Sequence, residues 1–338
     1  MIRPARDENA AIVLRGVEKR FANTRAVADL DLVVPRGSLC GFLGPNGAGK
    51  STTIRMIMSI IYPDSGSVRV LDGTALANKD RIGYLPEERG LYRTMKVGEF
   101  LVYMGRLKGL TAAAAHRSAS SWLERIELVG ISKKKCQELS KGMQQKVQFV
   151  ASVIHDPELL ILDEPFSGLD PVNAQLLTSI IKDLNRAGKT IIFSTHQMYT
   201  AEAMCDRVVL INHGTKLLDA TLGEVRAQFD PHSVVFEPMD ETLAPAAMQA
   251  MAPSIASVEI DDENQLARLL RIRSGMDTHK AMAEIVAAVP TRSIAIKRPT
   301  LTDVFIQLVQ ATGGAAPALS DLNGTAGGSG TQGGARHG

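Results

Sequence analysis

One eight-residue stretch limits the possible folds more than any other feature of the chain. Gly44-Pro45-Asn46-Gly47-Ala48-Gly49-Lys50-Ser51 satisfies GxxxxGK[ST] at every fixed position. The run before it, Leu39-Cys40-Gly41-Phe42-Leu43, is short and apolar and reads as a buried strand. The residues after it, Thr52-Thr53-Ile54-Arg55-Met56-Ile57-Met58, read as a helix. A glycine-rich turn between strand and helix gathers successive backbone N–H groups, and the positive end of the helix adds to their attraction for an anion. In such a loop Lys50 reaches the β- and γ-phosphates of a nucleoside triphosphate, and the Ser51 hydroxyl can ligate Mg²⁺.

A second half-site lies downstream. Leu159-Leu160-Ile161-Leu162 carries the adjacent carboxylates Asp163 and Glu164 out at the carboxyl end of a buried strand. Ligands bind at that end of open α/β sheets. Asp163 is placed to hold Mg²⁺ and Glu164 to polarise an attacking water. Thr190-Ile191-Ile192-Phe193-Ser194 reads as a further buried strand, and β-rich runs at 11–14 and 30–34 precede the turn Pro35-Arg36-Gly37. Residues 97–151 are dominated by helical patterns, at 99–108 and 112–127. Strands alternating with helices predict an α/β fold around a parallel sheet with both faces covered. Beyond about Phe229, short strands near 234–236, 258–260 and 270–273 and helices near 279–289 and 302–310 suggest a small α+β domain. Residues 313–338 are rich in glycine and read as a flexible tail.

The length, 338 residues, points to two domains. Lys+Arg 38 against Asp+Glu 36 leaves a net charge of +2, and aromatic residues are 4%. That balance gives no basic footprint for nucleic acid, and the aromatics are too few for a base-stacking platform. Cys40, Cys136 and Cys205 form no CxxC pair, which argues against a disulfide framework or a zinc cluster. The first ten residues are charged and lack the apolar core of a secretory signal, and no apolar run is long enough to span a bilayer.

Further motifs, in order along the chain, resemble those of the ATP-binding cassette (ABC) ATPases, the motor subunits of ATP-driven transporters. Leu139-Ser140-Lys141-Gly142-Met143-Gln144-Gln145 is similar to the family's LSGGQ signature, with Ser140 also suited to cap a helix. Ser167-Gly168-Leu169-Asp170 resembles the D-loop, which crosses the dimer interface. His196, after the strand, matches the switch histidine that contacts the γ-phosphate, and Phe21 matches the aromatic residue that stacks on adenine. Ile82-Gly83-Tyr84-Leu85-Pro86-Glu87-Glu88 has the form of the Q-loop, with Glu87 where the family usually has Gln; a carboxylate there can still ligate Mg²⁺. Lys141 and Met143 also depart from the signature, so the ribose contact expected of its Gln is lost or moves to Gln144.

The resemblance implies a P-loop NTPase core over 11–228, mostly parallel sheet with an N-terminal antiparallel β-subdomain and a helical insertion at about 95–150, followed by a C-terminal α+β domain at 230–312. It implies ATP and Mg²⁺ as ligands. Gly44 to Thr52, Phe21, Ser140, Gly142 and Asp170 would bind the nucleotide. Ser51, Asp163 and Glu87 would hold the metal, and Glu164, His196 and Lys50 would be catalytic. One phosphate loop and one signature per chain imply two cassettes joined head to tail, a homodimer in the simplest case. The partner would be a separate membrane permease, docked near 86–92 and the helical insertion, with the chain cytoplasmic on the inner face of the cell membrane. The C-terminal extension and the 82–92 run resemble the exporter branch, which moves ions or drugs. The alternatives are a soluble ATPase of this family acting on nucleic acid or the ribosome, and a regulatory module with a dead site.

Overall fold

The computed structural model describes residues 9–88, 90–229, 232–240, 242, 244–260 and 266–312. The glycine-rich stretch at 313–338, residues 1–8 and Arg89 lie outside them. The described residues form two compact units. One runs to Leu222 and resumes at Phe305; the other is Gly223–Val304.

In the first unit, β1 (Ala10–Phe21) and β2 (Thr24–Pro35) form a long antiparallel hairpin. β3 (Leu39–Leu43) leads through the glycine loop into α1 (Lys50–Ile57). β4 (Ser65–Val70) pairs with β1, which completes a three-stranded antiparallel sheet of order β2-β1-β4. β5 (Ile82–Leu85) is followed by α2 (Val97–Leu107), α3 (Ala112–Arg125) and α4 (Lys141–Val153). Then come β6 (Leu159–Asp163), α5 (Pro171–Arg186), β7 (Thr190–Thr195), α6 (Met198–Met204), β8 (Arg207–Asn212) and β9 (Thr215–Thr221).

The central sheet has the order β5-β6-β7-β3-β8-β9, parallel throughout except for β9, which is antiparallel to β8. β3, β6 and β7 are buried at every position, as strands covered on both faces must be. Their apolar runs are therefore unbroken rather than alternating. One core cluster joins the two sheets through Ile12, Leu14 and Leu32 on one side and Phe42, Ile161, Ile192 and Val209 on the other. The predicted α/β architecture, with its antiparallel N-terminal sheet and helical insertion, is the one observed.

Order within the parallel sheet decides where chemistry can sit. β3 lies between β7 and β8, and β6 is beside β7, so the phosphate loop, Asp163 and the end of β7 emerge at one carboxyl edge.

The second unit holds α7 (Leu222–Gln228), β10 (Ser233–Pro238), α8 (Pro245–Met251), β11 (Ile255–Ile260), β12 (Arg268–Ile272), α9 (Thr278–Ala288) and β13 (Thr291–Ile296). Its sheet is antiparallel, of order β11-β12-β10-β13. With helices after the first and third strands, this is the split βαβ arrangement. Val234, Phe236, Leu270 and Ile272 pack with Met248, Ala281 and Ile285 of the two helices. α10 (Leu301–Ala311) ends the described chain. Thr300 opens it by exchanging hydrogen bonds with Asp303: its hydroxyl donates to the carboxylate at 2.7 Å and accepts from the Asp303 N–H at 3.1 Å.

Candidate nucleotide site

Two glycines let the phosphate loop close. Gly44 has φ +159°, and a Cβ there would sit 2.2 Å from the Ile211 carbonyl oxygen. Gly49, the residue before α1, has φ +103°, and a Cβ would sit 2.4 Å from the Ala26 oxygen. Only glycine tolerates both demands. No side chain caps α1, so its first N–H groups stay directed at the loop.

The loop borders a cavity of about 340 Å³ lined by Asn46, Gly47, Gly49, Lys50, Ser51, Thr52, Glu87 and Glu164. Thr24, Arg25 and Ala26 of the β1–β2 hairpin and His213 of the β8–β9 turn complete the lining. Gly44, Pro45 and Ala48 belong to the loop but are not among the residues that line the cavity. Lys50 is buried, and its ammonium donates to the Gly44 and Pro45 carbonyls at 2.8 and 3.1 Å. Burial pulls its pKa below the usual lysine value, while the charges of Glu164, Asp163 and Glu87 oppose that shift.

Ser51, first turn of α1, lies between two carboxylates. Its Oγ is 3.4 Å from Asp163 Oδ1 and 3.4 Å from Glu87 Oε2. Asp163 is the last residue of β6 and 1% exposed. Burial raises its carboxyl pKa, a hydrogen bond from Ser194 pulls it back, and the charge of Glu87 raises it further. Two carboxylates and a hydroxyl form an all-oxygen set. Such a set fits Mg²⁺, which binds through one or two carboxylates together with substrate phosphates. Among the described residues no group of three or more His, Cys, Asp or Glu is arranged as a protein-only metal cage.

Glu164 follows at φ +47°, an uncommon conformation for a residue with a side chain. Ser194 of β7 holds it there: the Glu164 N–H donates to the Ser194 carbonyl at 3.2 Å and to its Oγ at 3.1 Å. The same hydroxyl donates to Asp163. Glu164 Oε1 accepts from His196 Nδ1 at 3.0 Å and lies 3.8 Å from the Lys50 ammonium. A carboxylate can only accept, so the proton of that pair sits on Nδ1. The contact also raises the His196 pKa above its ordinary value. Lys50, Ser51, Glu87, Asp163, Glu164 and His196 thus come together as one constellation.

The other predicted residues lie apart from it. Phe21 ends β1, 48% exposed, with the Lys19 ammonium 5.5 Å from its ring centroid; its hairpin neighbours, not its ring, line the cavity. Ser140 caps α4 by accepting from the Met143 N–H at 3.3 Å. Gly142 approaches the chain's own Gly168 and Leu169. Gln144 donates to the Cys136 and Leu139 carbonyls at 3.4 and 3.1 Å, which turns its amide onto its own chain. Asp170 caps α5 by accepting from Asn173 N–H at 3.0 Å. Ser194, Arg25 and His213 were not singled out by the sequence. Only the end of β7, where Ser194 stands two residues before His196, carried a signal for any of them.

Comparison with known proteins accords with this geometry. A family profile described as "ABC transporter" matches residues 27–167. The ABC transporter ATP-binding protein YhaQ of Bacillus subtilis is 38% identical over 298 residues, covering 87% of this chain and 97% of that protein. The daunorubicin/doxorubicin resistance ATP-binding protein DrrA of Streptomyces peucetius is 32% identical over 303 residues, covering 88% of this chain and 92% of that one. A solved structure of an ATP-binding subunit of an ABC transporter superposes with a TM-score of 0.60 at 32% identity, covering 65% of this chain and 93% of that one. The chain belongs to the ATP-binding subunits of ABC transporters, proteins that hydrolyse ATP to power transport.

Proposed function

We propose that this chain drives export of a small molecule or ion through a separate membrane permease, by closing and reopening a pair of cassettes around ATP. The observation that carries the proposal is the separation of two half-sites. Lys50, Ser51 and Glu164 line one cavity, and Asp163 and His196 contact Ser51 and Glu164 beside it. Ser140 and Gly142 are not among its described lining residues. A helix start capped by Ser140 is an anion site in want of an anion, and a second cassette placed head to tail supplies one. The exporter reading draws support from the resistance relative, and the permease reading from the absence, among the described residues, of any helix long and apolar enough to cross a membrane.

In this reading the phosphate loop and Lys50 bind the triphosphate, and Phe21 offers its exposed face to adenine beside the lined hairpin. Ser51, Asp163 and Glu87 would hold Mg²⁺, which would supply positive charge against the phosphates. Glu164, anchored by Ser194, orients the attacking water. His196 donates its Nδ1 proton to Glu164, and because that contact raises its pKa, the protonated ring can also donate from Nε2 to the γ-phosphate. Asp170 and its D-loop meet the partner cassette. Catalysis rests on positioning and on charge placed in advance, because phosphoryl transfer asks for little else.

Glu164→Gln tests the reading. It keeps the shape and the His196 contact but removes the charge that polarises water. Turnover should drop by about 10²–10⁴, while ATP with Mg²⁺ drives the purified chain into a dimer visible by light scattering. Near-normal turnover would take Glu164 out of that role. A monomer at saturating nucleotide, with and without permease, would end the paired-cassette reading.

A further inference from the structure

We propose that Gln148 is a positioning residue for ATP hydrolysis: from the buried side of α4 it holds the loop that carries Glu87. The proposal rests on the reading of Glu87 as a metal-side carboxylate.

α4 buries three polar side chains in four positions, Gln145, Lys146 and Gln148, exposed by only 2%, 5% and 5%. Buried polar groups cost stability unless they are bonded, so each partner is informative. Gln145 donates to the Pro165 carbonyl at 3.0 Å and, at 3.5 Å, to that of Glu164. Lys146 donates to Asn173, which itself holds Asp170. Gln148 spends both amide hydrogens on the loop after β5: its Nε2 donates to the Pro86 carbonyl at 3.3 Å and to the Glu88 carbonyl at 3.0 Å. Those two carbonyls bracket Glu87. Residues three apart share a helix face, so one face of α4 grips the backbone beside Glu164 and the backbone beside Glu87.

The grip matters because Glu87 has little else to place it. Its side chain is exposed, and among the described residues its one hydrogen bond is the 3.4 Å contact with Ser51. Fixing the backbone on both sides of residue 87 fixes where the carboxylate can reach. The Gln148 amide is retained at a cost: its Oε1 is buried and has no hydrogen-bond partner among the described residues. An orphaned buried acceptor is unfavourable, and an apolar side chain of the same length would remove it. A residue kept for packing alone would do better as methionine. A residue kept to hold the loop needs the amide.

The experiment uses the full-length chain and its Gln148→Met variant, with Gln148→Leu as a second apolar replacement. Readouts are the melting temperature without nucleotide, kcat, the KM for ATP, and the Mg²⁺ concentration for half-maximal rate. The expected result is a melting temperature equal to or above that of the parent and a KM within about twofold. kcat should be lower by about ten- to a hundredfold, and the Mg²⁺ requirement higher. In a Glu87→Ala background, Gln148→Met should add nothing further. Unchanged kcat and Mg²⁺ requirement in both Gln148 variants would overturn the proposal, as would a melting temperature that falls in step with activity, or losses that simply add in the double variant. If Glu87→Ala alone behaves like the parent, the metal-side reading of Glu87 falls and takes the proposal with it. If Glu87→Ala is impaired and Gln148→Met is silent, only the proposal falls.

Discussion

His155 gives the first unit a sensitivity to mild acid that can be measured. The ring is half-buried behind the end of α4, with Nε2 3.2 Å from the Ile82 carbonyl and Nδ1 buried without a partner among the described residues. Burial, and then the neighbouring charge of Lys108, push its pKa from 6.5 down to about 4, against smaller opposing effects from the Ile82 carbonyl and from Asp80 and Asp156. The folded state therefore prefers the neutral ring, and between those two values the unfolded chain binds more protons. The stability tied to His155 is complete above about pH 6.5 and is lost as the pH falls toward 4. The gap, at ~1.4 kcal/mol per pH unit, sets a ceiling of about 3 kcal/mol; partial exposure lowers the working figure to about 2 kcal/mol. His155→Gln keeps a donor for Ile82 and cannot titrate in this range. Urea unfolding of parent and variant, followed from about pH 7.5 down to about pH 4.5, should show the parent losing about 2 kcal/mol more than the variant. Parallel curves would mean that the ring is equally easy to protonate in the folded and unfolded states, and that burial of His155 carries no pH-dependent stability.

Two other substitutions probe the site. Ser194→Ala removes the hydroxyl that donates to Asp163 and accepts from Glu164 N–H; it should cost about 1–3 kcal/mol in thermal or urea unfolding and lower kcat, whereas Ser194→Thr should restore part of both. Gly49→Ala forces a side chain into a φ of +103° and to 2.4 Å from the Ala26 oxygen. It should abolish binding of a fluorescent ATP analogue and lower the melting temperature, and retained affinity would show that the loop can close without glycine.

Much of the site was legible in the sequence because its parts are local. A strand, a glycine turn and a lysine in a fixed order carry their own geometry, so Gly44 to Ser51 could be read as a phosphate loop before any sheet was known. Asp163 and Glu164 were legible for a related reason: they close an unbroken apolar run, as a strand buried on both faces gives, and His196 follows a second buried strand. Strand β1 was only partly legible. It continues through Glu18, Lys19 and Arg20 past several register shifts, in a charged stretch that does not alternate. β8 and β9 were not read, nor was His213 in the turn between them.

What the tertiary structure alone decided is which distant segments become neighbours. Nothing local to Ser194 announces that its hydroxyl will donate to the Asp163 carboxylate and accept from the Glu164 N–H; that depends on the pairing of β6 with β7 in a register that sets Asp163 against Ser194. The same holds for Gln148, which looks like an ordinary polar residue of a helix until the packing of α4 brings it against the loop after β5. In the second unit, the sequence indicated short strands and helices, but the order β11-β12-β10-β13 came from long-range pairing. The composition of this chain determined what each segment could bury and which loop could take a phosphate. Strand order and register, which depend on contacts between residues far apart in the chain, determined which side chains could meet there.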